Sequence, residues 1–229
     1  MASIEAKLQQ VQERIALACA AAQRPVQSVT LLAVSKTFGA EAVREAWAAG
    51  QRGFGENYVQ EALAKIEALS DVRSTIEWHL IGPLQSNKTR EVAAAFDWVH
   101  GIDRQKIAER LSAQRPSGLP PLQVCLQVNV SSEASKSGVA PAALPALAHA
   151  VAALPNLRLR GLMSIPEPAA DVAAQRAPHR MLRELFDALR SQGLALDTLS
   201  MGMSADLEAA ITEGSTMVRV GTSIFGART

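Results

Sequence analysis

Lys36 follows the apolar, β-branched run Val29-Thr30-Leu31-Leu32-Ala33-Val34 after a single serine. Such a run reads as a strand covered on both faces, and a lysine at its end carries its amine toward the mouth of the sheet. Partial burial there favours the neutral amine, the form that condenses with a carbonyl. The plain alternative is a solvated lysine at a strand end. Near the other end of the chain, Ser200-Met201-Gly202-Met203-Ser204 and Arg219-Val220-Gly221-Thr222-Ser223 each belong to a short strand and the turn after it. Both offer small residues, hydroxyls and backbone N–H groups where a helix begins, an arrangement that favours an anion such as phosphate. Taken singly, Ser204 reads as a helix cap and Gly221 as a turn.

The elements that position these residues alternate. Ile4, Leu8, Val11, Ile15 and Cys19 share one helical face over 3–22, with Ser3 as N-cap. Strands are expected at 29–34, 52–55, 77–81, 97–100, 122–130, 157–165, 198–201 and 217–220. Helices fill the gaps: one near 40–49 stopping at Gly50, one carrying Val59, Leu63, Ile66 and Leu69, and one over 88–95. Further helices carry Ile107 and Leu111, then Leu144, Leu147 and Val151, then Leu182, Leu185 and Leu189, and a last one ends near Gly214. Alternation of this kind implies a parallel sheet with right-handed crossovers. Eight units in succession predict a closed TIM-type (β/α)8 barrel with an extra N-terminal helix, in preference to an open doubly wound sheet.

In such a barrel, active groups lie at the C-terminal ends of the strands, and phosphate sites are often built after strands seven and eight. Closure also sets strand one beside strand eight, so Lys36 is expected next to the Gly221 turn. An aldehyde-reactive amine beside a phosphate cradle is what pyridoxal 5'-phosphate (PLP) needs. A Schiff-base aldolase acting on a phosphorylated sugar needs the same pair, and spacing alone does not choose. Asn57 reads as a cap of the next helix, with Gln60 as its reciprocal partner. His79, inside a strand, reads as a core residue unless alternation turns it toward the mouth. Lys88 and Lys136 fall in loops after strands three and five, and Asp206 and Glu208 are ordinary acids of a first helical turn. His100, His149 and His179 lack ligand spacing, so no metal is expected. Nucleotide-binding motifs of the GxGxxG and GxxxxGK[ST] kinds are absent from the sequence.

With 229 residues, 48% apolar and 20% charged, the chain is sized for one domain over 1–229. A net charge of +1 gives no case for nucleic acid or an anionic membrane surface. Cys19 and Cys125 sit in unlike contexts and read as free thiols of a reducing compartment. The first residues lack signal-peptide features, and no apolar run is long enough to span a bilayer. The expectation is a soluble, cytoplasmic monomer.

Several segments, in order, resemble the pyridoxal phosphate homeostasis (PLP-binding) protein family. They are Leu32-Ala33-Val34-Ser35-Lys36, Gly53-Phe54-Gly55-Glu56-Asn57-Tyr58-Val59-Gln60-Glu61 and Trp78-His79-Leu80-Ile81-Gly82-Pro83-Leu84-Gln85-Ser86-Asn87-Lys88. The similarity continues through Val128-Asn129-Val130, Ser135-Lys136-Ser137-Gly138, Gly161-Leu162-Met163, Ser200-Met201-Gly202-Met203-Ser204 and Arg219-Val220-Gly221-Thr222-Ser223-Ile224-Phe225-Gly226. The resemblance implies a barrel like the N-terminal domain of alanine racemase, with PLP carried covalently on Lys36. Ser200, Ser204, Gly221 and Thr222 would cradle the phosphate. Arg219 would meet either the pyridine nitrogen or the phosphate, and Asn57, His79 and Met163 would line the pocket. Departures are small: Ser223 stands where alanine is common, and Ser164 follows Gly-Leu-Met. The family resembles a set of regulators of vitamin B6 pools without established turnover, which implies a carrier that buffers PLP or delivers it to apo PLP-dependent enzymes. A chain ending at Thr229 is expected to lack the second β-domain of a racemase, leaving one face of the cofactor without an acid–base group. The alternative is a PLP-dependent racemase or decarboxylase of the same barrel class. Lys88 and Lys136 are candidates for a second PLP during transfer.

Overall fold

The computed structural model describes residues 2–131 and 137–226. Eight parallel strands close in sequence order, each pairing with its neighbours and β8 returning to β1. The strands are β1 (Thr30–Val34), β2 (Gly53–Glu56), β3 (Glu77–Leu80), β4 (Trp98–Ile102), β5 (Leu122–Gln127), β6 (Leu157–Met163), β7 (Thr198–Ser200) and β8 (Met217–Val220). Helix α1 (Ile4–Ala21) precedes β1. Between strands run α2 (Ala40–Ala48), α3 (Val59–Ala68), α4 (Thr89–Ala95), α5 (Gln105–Gln114), α6 (Leu144–Ala152), α7 (Val172–Ser191) and α8 (Leu207–Thr212), and α9 (Thr222–Phe225) follows β8. The TIM-type barrel expected from the alternation is the observed fold.

The local signals explain the elements. Ser3 Oγ accepts from the Ala6 amide and caps α1, whose buried residues Leu8, Val11, Ile15, Ala18 and Cys19 form one stripe. That stripe packs on α8 and α9, so the N-terminal helix covers the last βα unit. Alternation along the strands divides the buried side chains in two. Phe54, Trp78, Leu80, Val99, Val124 and Leu126 join the large core between strands and helices. Leu32, Val34, Ile81 and Met217 make a separate cluster, as do Trp98, Cys125 and Met163. These two fill the lumen together with the buried polar groups His79, His100, Ser200 and Arg219. Gly55 is what lets Leu32 fit there, since a Cβ at Gly55 would come 3.1 Å from Leu32 Cδ2.

Three strand ends differ from the sequence reading by two residues or more. β5 and β6 stop at Gln127 and Met163, short of 130 and 165, because the chain turns away once it enters the mouth. Val128 still donates its amide to the Met163 carbonyl at 2.8 Å but also forms an isolated bridge to Val139, outside the barrel. β4 runs on to Ile102 through Gly101, where a Cβ would meet the Gly82 carbonyl at 2.9 Å. Gly202 sets the β7 turn with φ +95°, and a Cβ there would lie 2.5 Å from Ala210 Cβ. Gly202→Ala is therefore expected to cost roughly 2–5 kcal/mol from the left-handed backbone and overpacking together. A urea midpoint unchanged from wild type would contradict that.

Candidate functional site

A cavity of about 500 Å³ opens at the C-terminal ends of the strands, with Lys36, Asn57, Ser204, Arg219, Gly221 and Thr222 in its wall. The register of the closing pair brings the two chain ends together: Leu32 lies opposite Arg219 and Ala33 opposite Val220. Gly221 then approaches β1 so closely that a Cβ would sit 3.0 Å from the Val34 carbonyl oxygen. Lys36 is half-buried two residues beyond β1. The chain bends sharply after it, for Thr37 adopts φ 68°, and the Thr37 amide donates to Glu61 Oε2 at 3.2 Å.

The turn carrying Lys36 stands on a buried ion pair. Lys65, from α3, donates to Glu56 Oε1 and to the Ser35 carbonyl, both at 2.7 Å. Ser35 Oγ donates to the same Glu56 oxygen. The side chains of Lys65 and Glu56 are 7% and 0% exposed. Burial pushes the Glu56 carboxyl above its ordinary value, and the Lys65 ammonium opposes that rise.

On the phosphate-candidate side, Asp206 closes a turn. Asp206 Oδ1 accepts from the Met203 amide at 2.6 Å, and the Asp206 amide returns a bond to the Met203 carbonyl. Ser204 and Ala205, held between them, face the cavity. His179, fully buried on α7, places Nε2 2.9 Å from Asp206 Oδ2. From α1, Arg14 reaches the Ser204 carbonyl at 3.2 Å and pairs with Glu208. At the second turn the Thr222 and Ser223 amides precede the first α9 bond, which runs from the Ile224 amide to the Gly221 carbonyl. Burial alone would raise the Asp206 carboxyl; bonds from His179 and the Met203 amide outweigh it and hold the carboxyl below its usual range. A carboxylate with a depressed folded pKa stabilises the fold fully above its unfolded value near 3.8, and the gain is lost as pH falls through the lower folded value. Asp206→Asn is therefore expected to be less stable than wild type at pH 6, with the gap narrowing below about pH 4. Urea titrations of both proteins at pH 6 and pH 3 measure it, and a gap independent of pH would count against the assignment.

Arg219 is 3% exposed. Its Nη1 donates to the Ser200 carbonyl at 2.6 Å and to Ser200 Oγ at 2.8 Å, and Nη2 donates to the Ser164 carbonyl at 2.7 Å. Burial brings its pKa down to about 10, so it keeps its charge at neutral pH.

Of the nine residues singled out from the sequence, six line the cavity and three lie deeper. Ser200 is under Arg219. His79 is in the lumen, its Nδ1 2.9 Å from His100 Nε2, and Met163 packs with Trp98 and Cys125. The cap expected of Asn57 and Gln60 does not form: Tyr58 precedes α3 without a side-chain bond, and Gln60 donates to Glu91 instead. That leaves Asn57 Oδ1 buried with no hydrogen-bond partner among the described residues. Lys88 pairs with Glu91 at 3.4 Å and is not part of the cavity wall; Lys136 lies outside the described residues. The sequence reading missed the Ser35–Glu56–Lys65 group and the His179–Asp206 pair, each of which joins residues from different elements. Among the described residues no group of three or more His, Cys, Asp or Glu could hold a metal ion, and no helix is long and apolar enough to cross a membrane.

Residues 6–229 match the family described as alanine racemase, N-terminal domain. The pyridoxal phosphate homeostasis protein of Pseudomonas aeruginosa is 64% identical over 228 residues, covering 100% of this chain and 97% of the relative. That of Escherichia coli is 54% identical over 229 residues, covering 100% and 98%. Among solved structures, PipY of Synechococcus elongatus with PLP bound superposes with a TM-score of 0.87 at 40% identity, over 98% of this chain and all of that one. Alanine racemase of Corynebacterium glutamicum shares the fold at 18% identity, with a TM-score of 0.66 over 94% of this chain and 61% of its own. The chain thus belongs to the alanine racemase N-terminal-domain family and, within it, to the pyridoxal phosphate homeostasis proteins.

Proposed function

We propose that this chain binds PLP at the mouth of the barrel, covalently through the Lys36 amine, and serves intracellular PLP homeostasis as a buffer or donor to apo PLP-dependent enzymes. The observation that carries the reading is the meeting of Lys36 with the Ser204 and Gly221–Thr222 turns in one cavity. The donor set suits the molecule. Two turns offer backbone amides and hydroxyls to a phosphate, Arg219 supplies a fixed positive charge, and the orphaned Asn57 Oδ1 offers an acceptor to a ligand hydroxyl or N–H. When bound, PLP brings an aldehyde that condenses reversibly with a primary amine, so covalency and phosphate binding act together.

In this assignment Lys36 binds, while Ser204, Gly221 and Thr222 orient the phosphate. Ser200 holds Arg219, and His79 and Met163 act from beneath the site. Lys36 and Arg219 are the titratable groups among the cavity's described residues. Racemisation needs proton donors and acceptors on both faces of a planar intermediate, and a guanidinium with a pKa near 10 is a poor match for the second. This favours a carrier over a racemase. The test is a tryptic map of PLP-loaded protein after borohydride reduction, with a pyridoxyl group expected on Lys36. Modification confined to Lys88 or Lys136, or none at all, overturns the proposal.

A further inference from the structure

We propose that the Arg219 guanidinium is held by a one-way chain of hydrogen bonds through the barrel lumen, Arg219 to Ser200 to His100 to His79. The two buried histidines are then positioning residues that act on the cavity through Arg219. The links are short: Arg219 Nη1 to Ser200 Oγ 2.8 Å, Ser200 Oγ to His100 Nδ1 2.8 Å, and His100 Nε2 to His79 Nδ1 2.9 Å. All four residues are at most 3% exposed.

The direction follows from what each end can do. A guanidinium only donates, so Ser200 Oγ accepts at that link and keeps one proton of its own. If that proton goes to His100 Nδ1, His100 carries its hydrogen on Nε2 and donates to His79 Nδ1. His79 then also carries its hydrogen on Nε2. The opposite direction fails at both ends. It would leave the buried Ser200 hydroxyl proton with no acceptor among the described residues. It would also turn a bare His79 Nε2 toward Glu77, whose Oε2 lies 3.8 Å away. An N–H facing that carboxylate is favourable, and a lone pair facing it is not. Stacking on Trp98, with ring centroids 5.2 Å apart and planes 13° from parallel, fixes the His79 ring in the plane this requires. Burial also depresses the pKa of both imidazoles, keeping them neutral beside the cation.

The consequence is at Arg219. A hydroxyl that donates onward is a better acceptor, so the chain strengthens the bond that pins Nη1. With Nη1 spent on Ser200 and one Nη2 hydrogen on Ser164, the five donors leave Nε–H and one Nη2–H for the cavity. The hydrogen-bond direction stands on geometry alone; its bearing on PLP rests on the function proposed above.

The test uses full-length 15N-labelled protein without PLP at neutral pH. Long-range 1H–15N correlation should show both rings protonated at Nε2 and bare at Nδ1, with Ser200→Ala shifting the His100 Nδ1 resonance. Protonated Nδ1 on either ring, or averaging between tautomers, overturns the proposal. The linked measurement is PLP affinity. His79→Leu, which removes the acceptor of the His100 N–H, should weaken PLP about three- to tenfold. His79→Gln, which can accept the same bond, should restore affinity to within about twofold of wild type. If the leucine and glutamine variants bind alike, the histidines do not act through Arg219. If the tautomers are as expected and Lys36 takes no PLP, the PLP reading fails while the chain of bonds stands.

Discussion

Lys36→Ala protein mixed with PLP is expected to show no visible absorbance above that of free PLP and to keep no pyridoxyl group after borohydride reduction. Affinity should fall on the order of 100-fold, about 2.8 kcal/mol at 1.4 kcal/mol per decade, because the phosphate-binding turns remain while the covalent bond is gone. Lys36→Arg separates charge from covalency: it keeps a cation at the end of β1 and supplies no amine. It should therefore match the alanine variant in absorbance. Retained colour in either variant, fixed by borohydride to another lysine, would remove Lys36 from the centre of the site. Equilibrium dialysis and an absorbance scan are sufficient.

What the sequence discloses of this site depends on how local each signal is. Lys36, Ser204, Gly221 and Thr222 are legible because each stands at the end of an apolar run, and closure of the barrel brings those ends together. The resemblance added Ser200, His79 and Met163 as contacts, and period-two alternation does place them inward. It does not fix their depth: all three sit below the cavity wall, in the lumen. Asn57 misled because a polar residue before an apolar helical stretch is the usual mark of a cap, whereas its side-chain oxygen is buried and has no hydrogen-bond partner among the described residues. Glu56 and Lys65 carry no pairing signal, since the link runs from a strand to the far end of the next helix. His179 and Asp206, on α7 and before α8, are invisible for the same reason. α9 spans four residues, too short for a helical period to register.

The Glu56–Lys65 pair leads to the other large effect. Lys65→Met keeps most of the apolar stem and deletes the charge, so Glu56 is left buried with its partner gone while Ser35 loses a donor to its carbonyl. Breaking a buried pair from one side typically costs about 3–5 kcal/mol, because the remaining charge must be protonated or hydrated where neither is easy. Burial already drives the Glu56 carboxyl upward and the Lys65 ammonium opposes that rise, so the variant should take up a proton there more readily than wild type. Its stability deficit should shrink as pH is lowered toward the ordinary glutamate value of 4.5, as protonation removes the stranded charge. The double variant Glu56→Gln, Lys65→Met removes both charges and should recover much of the loss, which a mere cavity at Lys65 would not allow. The site responds as well: Ser35 is the residue before Lys36, and a Ser35 carbonyl without its donor lets the turn drift. The single variant, assayed where it remains folded, should label with PLP more slowly than wild type. Unfolding free energies from urea titrations that put Lys65→Met within about 1 kcal/mol of wild type would show that the pair is not what holds the Lys36 turn.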